Sequence, residues 1–139
     1  MTSSYQTDDA EFILITLGSI SGLVREAVDK LRAEGKRAGL LRLRYLRPFP
    51  NEEIANSVKN AKALAVLEKD ISFGNEGTVY TNVNSALQKA GIKLPTSNYI
   101  GGLGGKNISF EEIINIFDEL EKQQSAVKFL GIGGEVNGG

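Results

Sequence analysis

Three short stretches carry the residue types that handle anions: "GSISG" (18–22), "DISFGNEG" (70–77) and "GGLGGKNIS" (101–109). Each follows an apolar run and precedes a helical pattern. Glycine lets the backbone approach a ligand closely, and N–H groups at a helix start, with Ser hydroxyls and Lys106 beside them, could cradle a phosphate. The spacing rejects both standard nucleotide loops. From Gly102 the chain reads G-L-G-G-K-N, so a dinucleotide fingerprint fails at Asn107, and a P-loop ending at Gly105-Lys106 would need glycine where Ile100 stands. Tight turning and close backbone packing remain the simpler use of these glycines, with an anion at the start of the last helix as the alternative.

Other chemistry-bearing groups are sparse. Glu68, Asp70 and Glu76 could act as paired carboxylates, although a turn or cap for Asp70 and solvated glutamates explain them more simply. Arg42, Arg44 and Arg47 share a strand and its exit and could meet an acidic partner or a phosphate. A wet strand face or intersubunit salt bridges serve equally well, and Tyr45 stands between two of them without the aromatic interleaving of a nucleic-acid platform. The chain has no cysteine and no histidine, which removes thiol nucleophiles, disulfides, Fe–S ligation by this chain and the Ser-His-Asp triad. Asn107-Ile108-Ser109 matches a glycosylation sequon that matters only on secretion.

The elements that must position these loops are legible from periodicity. "EFILITL" (11–17), "AGLLRLRYL" (38–46), "ALAVLE" (63–68) and "SNYI" (97–100) read as strands, with a weaker one near 127–131. Between them run helical stripes: Leu23, Val24, Ala27, Val28 and Leu31, stopped by Gly35; Ile54 and Val58 after Pro50 at a first helical position; Val79, Val83, Ala86, Leu87 and Ala90, stopped by Gly91. A helix over 110–121 turns Phe110, Ile113, Ile114, Phe117 and Leu120 inward. Ser109 and Glu112 form a capping box for it, and Ile108 can staple to Ile113. Strands alternating with helices over 139 residues predict one α/β domain with a mainly parallel sheet, helices on both faces, and the three glycine loops on one edge. Residues 1–10 and 135–139 read as flexible tails around a domain spanning 11–134.

A net charge of −1 gives no basic excess for nucleic acid or an anionic membrane, and no apolar run reaches the roughly 18–20 residues that span a bilayer. The polar start, without a signal-peptide core, reads as cytoplasmic.

The string "LRLRYLRPFPNEEI" (41–54) resembles the C-terminal domain shared by the transketolase superfamily. "TLGSISGLVREAVDKLRAEGKRAGLLR" (16–42), "VLEKDISFGNEGTVYTNV" (66–83) and "NYIGGLGGKNIS" (98–109) narrow the resemblance to the C-terminal region of the α chain of pyruvate:ferredoxin (2-oxoacid:ferredoxin) oxidoreductase. The resemblance covers about residues 11–134 and implies a three-layer domain whose mostly parallel, five-stranded sheet has one antiparallel edge strand. It implies an enzyme that oxidatively decarboxylates a 2-oxoacid, pyruvate favoured, to acyl-CoA and reduces ferredoxin. Thiamine diphosphate, Mg²⁺, Fe–S clusters and CoA would be held by other domains or subunits, namely thiamine diphosphate-binding and ferredoxin-type chains. This chain would serve assembly and have no catalytic residue or cofactor of its own. The interdomain or anion-contact candidates carried over by position are Gly18, Ser19, Ser21, Gly22, Arg47, Pro48, Asp70, Ser72, Phe73, Gly74, Gly77, Gly101, Gly102, Gly104, Gly105 and Lys106. The alternative reading is a stand-alone binding module for a phosphate- or CoA-type anion.

Overall fold

The structure, a computed structural model, describes residues 2–17, 21–43, 49–68, 78–100, 108–122 and 127–129. Six strands and four helices are formed in the order β1 (Thr2–Tyr5), β2 (Phe12–Leu17), α1 (Ser21–Ala33), β3 (Ala38–Leu43), α2 (Asn51–Val58), β4 (Ala63–Glu68), α3 (Thr78–Ala90), β5 (Thr96–Ile100), α4 (Phe110–Glu121) and β6 (Val127–Phe129). They make one sheet of order β1-β3-β2-β4-β5-β6, parallel except where β1 pairs antiparallel with β3.

The two continuous apolar runs become the central strands because each must be buried on both faces. In β4 all six residues are buried, with Ala63, Ala65 and Leu67 turned to one face and Leu64 and Val66 to the other. On the first face α1 presents Val24, Ala27, Val28 and Leu31, and α4 presents Ile113, Ile116, Phe117 and Leu120. On the second, α2 contributes Ile54 and Val58, and α3 contributes Val79, Val83 and Leu87. The three-layer α/β expectation therefore holds.

The helix stops are as read: Gly35 at φ +86° and Gly91 at φ +72° adopt the left-handed conformation that ends a helix. Ile108 packs in the cluster that holds Ile113, and Ile114 and Phe110 lie partly buried against it. Two details differ. Pro50 is the N-cap rather than the first residue of α2, and Ala90 is exposed because the last turn of α3 runs past the apolar stripe.

The expectation of a tail over residues 1–10 is corrected. Thr2–Tyr5 is a strand, with Thr2 opposite Leu43 and Tyr5 opposite Leu40, and it is the antiparallel edge. All five strands read from the sequence are mutually parallel, so β1 brings the count to six. TSSY lacks the apolar alternation that marks a half-buried strand, so hydropathy gave no sign of it. The second tail, 135–139, and the ends of "AGLLRLRYL" beyond Leu43 lie outside the described residues.

Gly39 of β3 is needed for the turn that follows β1. A Cβ there would stand 2.8 Å from the Gln6 carbonyl oxygen and 2.9 Å from the Ala10 Cβ. Gly39→Ala is expected to cost about 1–3 kcal/mol through that overpacking, read as a lower urea midpoint with an unchanged slope.

Candidate functional site at the carboxyl edge of the sheet

The parallel register brings the ends of β2, β4 and β5 to one edge, where the chain enters α1, α3 and α4. The chain first steps from β2 outward to β3, then returns past β2 to β4. The β2/β4 boundary is thus the topological switch point, the place where open α/β sheets hold ligands. Of the candidate residues, only Ser21 and Gly22 fall within the described structure, in the first turn of α1; Gly22 is exposed, and a Cβ there would meet no other atom within 4 Å. Gly18, Ser19, Arg47, Pro48, Asp70, Ser72, Phe73, Gly74, Gly77, Gly101, Gly102, Gly104, Gly105 and Lys106 lie outside it, as do Arg44, Tyr45 and Glu76.

Glu68, the last residue of β4, corrects the reading of solvated glutamates. It is only 6% exposed, and its two carboxylate oxygens accept the backbone N–H groups of Val79 (3.0 Å) and Tyr80 (3.1 Å) at the start of α3. Burial raises its pKa, and the two N–H donors work against that rise. A helix start favours a nearby negative charge, and here the chain supplies its own. The α4 start is likewise self-satisfied: the Ser109 hydroxyl accepts the Glu112 N–H at 3.1 Å, and Glu112 accepts the Ser109 N–H at 2.9 Å. Glu111 adds a second first-turn carboxylate. The capping box read from the sequence is present.

With these carboxylates in place, the starts of α3 and α4 oppose a bound phosphate. α1 has no acidic residue in its first turn. Among the described residues no group of three His, Cys, Asp or Glu could hold a metal ion, and no helix is long and apolar enough to cross a membrane. A groove of about 730 Å³ lies at the opposite, amino end of β5, between α3 and the segment Ile92–Pro95. Its lining includes Asn84, Ser85 and Gln88, and among the described residues Lys93 is the one ionisable group that lines it.

Two further polar groups went unread in the sequence. Asn98, in the middle of β5, and Thr16, near the end of β2, are both 0% exposed; among the described residues neither amide atom of Asn98 nor the Thr16 hydroxyl has a hydrogen-bond partner. Thr16 stands opposite Leu67 across the switch point, and half-buried Arg42 is its neighbour on β3. The signal was available, since each interrupts a strand whose neighbours are buried on both faces.

Glu68→Ala strands two N–H groups at the buried start of α3 and is expected to cost about 1–3 kcal/mol. Glu68→Gln keeps an acceptor and removes the titration. Because the folded-state pKa of Glu68 is raised above its ordinary 4.5, its linked contribution is fully present below that pH and is lost as pH rises through the folded-state value. The urea midpoint of Glu68→Gln should therefore gain on wild type between pH 4.5 and 7; a constant gap would remove Glu68 as the linked group. Asn98→Leu, similar in shape, should raise stability by about 1–2 kcal/mol, because it removes buried groups that bond to nothing.

Comparison with known proteins places this architecture. The family model described as pyruvate:ferredoxin oxidoreductase core domain II matches residues 10–113. The chain is 42% identical to the pyruvate synthase subunit PorA of Methanosarcina barkeri, over 88% of this chain and 31% of that one. It is 41% identical to the ketoisovalerate oxidoreductase subunit VorA of Pyrococcus furiosus, over 83% of this chain and 29% of that one. The chain thus spans under a third of the curated relatives it matches. In fold it is similar to the 2-oxoglutarate:ferredoxin oxidoreductase of Magnetococcus marinus, with TM-score 0.65 and 22% identity over 88% of this chain and 19% of that one. A split-gene transketolase gives TM-score 0.68 at 15% identity, over 89% of this chain and 43% of that one. The family match covers most of the fold just described, and the chain belongs to the pyruvate:ferredoxin oxidoreductase core domain II family.

Proposed function

We propose that this chain is a non-catalytic assembly domain of a 2-oxoacid:ferredoxin oxidoreductase. The whole enzyme would oxidatively decarboxylate a 2-oxoacid, with pyruvate favoured, to acyl-CoA and pass the electrons to ferredoxin. The observation that carries this reading is the 42% identity to a pyruvate synthase subunit over 88% of this chain, which corresponds to only 31% of that subunit. Thiamine diphosphate, Mg²⁺, Fe–S clusters and CoA would belong to neighbouring domains or chains in the cytoplasm. The residues present agree with that division: the chain has no cysteine to ligate a cluster, and the starts of α3 and α4 carry their own carboxylates where a diphosphate would need bare N–H groups. The segments Gly18–Gly22, Arg47–Pro50, Asp70–Gly77 and Gly101–Lys106 would then face partner surfaces, with glycines allowing close backbone approach.

The test has two arms. The purified chain, given pyruvate, CoA, thiamine diphosphate, Mg²⁺ and methyl viologen, should reduce no dye and give no saturable heat with thiamine diphosphate or CoA in calorimetry. Co-expressed with the thiamine diphosphate-binding and ferredoxin-type chains of such an enzyme, it should co-purify with them. Robust 2-oxoacid-dependent dye reduction by the chain alone would overturn the proposal.

A further inference from the structure

The edge strand β1 is held unlike any other element. None of its four side chains is buried: Thr2 and Tyr5 are half-buried, and Ser3 and Ser4 are exposed. It is held by its main-chain ladder to β3, by the Tyr5 ring packed against the core, and by polar clips reaching from the body of the domain. The Thr2 N–H and hydroxyl donate to Glu53 of α2 at 3.1 and 2.6 Å. The Tyr5 hydroxyl donates to Asp29 at 2.6 Å, and the Arg25 guanidinium lies 4.4 Å from the Tyr5 ring centroid. Such exposed contacts are individually weak, because water and salt screen them.

The connection from β1 to β2 is strained and clamped. Gln6 sits at φ +60°, a left-handed conformation that costs a residue with a side chain about 1–2 kcal/mol. Arg32, in the last turn of α1, holds this connection at Gln6 and Asp9 and ties it to the start of β3. Its Nε donates to the Ala38 carbonyl at 2.8 Å, and its Nη2 donates to the Gln6 carbonyl and to Asp9, each at 2.8 Å. Opening the turn would relieve Gln6 and release Arg32 from the hinge.

β3 is unsuited to being left bare. Leu40, Leu41 and Leu43 are at most 2% exposed, and without β1 the strand would present a long apolar edge of unpaired N–H and C=O groups, a template for another strand. Every receptor for β1 (the β3 edge, Glu53, Asp29 and Arg25) lies on the body of the domain. A second copy therefore offers the same receptors in the same geometry.

We propose that β1 is an exchangeable strand, passed between two copies of this chain in a two-fold dimer, with Arg32 as the catch that keeps the hinge at residues 6–9, short of the core residue Ala10, closed in the monomer. Exchange conserves each clip of β1, relaxes Gln6 and leaves neither β3 edge open, while extension of the hinge uncovers Thr7 and opens the Arg32 contacts to Gln6 and Asp9. Strained short hinges favour this outcome. The inference does not depend on the enzymatic reading above, because its readout is the association of the chain with itself.

The experiment is light scattering after size-exclusion chromatography, with hydrogen exchange on residues 38–43, for wild type, Arg32→Ala and Gln6→Gly. Arg32→Ala should raise the dimer association constant by about tenfold, the factor that corresponds to losing roughly 1.4 kcal/mol of hinge clamping. Its dimer should keep β3 amides as protected as in the wild-type monomer. Gln6→Gly removes the strain and should shift the balance toward monomer, an effect that mere loss of folding would not produce. An Arg32→Ala protein that stays monomeric at every concentration overturns the proposal. So does a dimer with unprotected β3 amides, or an equal dimer in a chain lacking residues 2–5.

Discussion

The domain is organised by the fact that β4 has no wet side. All six of its residues are buried, and both of its edges are paired, to β2 and to β5. A strand enclosed in this way admits helices only as complete covers on each face, which is why α1 and α4 share one side and α2 and α3 the other. It also leaves its last residue, Glu68, with nowhere to reach bulk water. A buried carboxylate without partners would be far costlier than one that accepts two N–H groups, so the start of α3 is drawn to the end of β4. The exit from β4 and the entry to α3 are therefore one joint.

That joint sets the electrostatics of the edge. In many α/β proteins the carboxyl edge is attractive to anions because helix starts aim unpaired N–H groups outward. Here α3 spends two such groups on Glu68, distant in sequence, and α4 spends its own on the Ser109–Glu112 capping box, the Ser109 N–H donating to Glu112 and the Glu112 N–H to the Ser109 hydroxyl. The same geometry that stabilises the helices makes both helix starts poor hosts for phosphate. The start of α1, with no acidic residue in its first turn, is the one of the three without such a carboxylate.

What was legible in the sequence follows how local the determining interaction is. The capping box of α4 lies within four residues, Ser109 to Glu112, and could be read outright. The stops at Gly35 and Gly91 and the apolar runs of β2 and β4 are local too. Glu68 could not be read because its partners, Val79 and Tyr80, stand eleven and twelve positions away and meet it only when the sheet forms. β1 was illegible for a different reason: its stabilisation comes from main-chain pairing and from side chains on α1 and α2, none of which leaves an apolar pattern in Thr2–Tyr5. On α4, Ile116 completes the buried stripe with Ile113, Phe117 and Leu120, whereas Ile114, read as inward, lies at its margin.

The two orphaned groups run against the economy of the rest. A sheet able to satisfy Glu68 completely could as easily have placed an aliphatic residue at position 98, where the neighbour across β4 is Val66. An asparagine there costs the isolated chain buried hydrogen-bonding capacity at both ends of its amide. Departures from local consistency of this kind concentrate where a protein serves something besides its own stability. Both orphans sit on strands that lead into the glycine-rich edge, Thr16 one residue before the end of β2 and Asn98 two before the end of β5. Both concessions thus lie on strands that run toward the carboxyl edge, and the double burial of β4 supplies the margin that bears them.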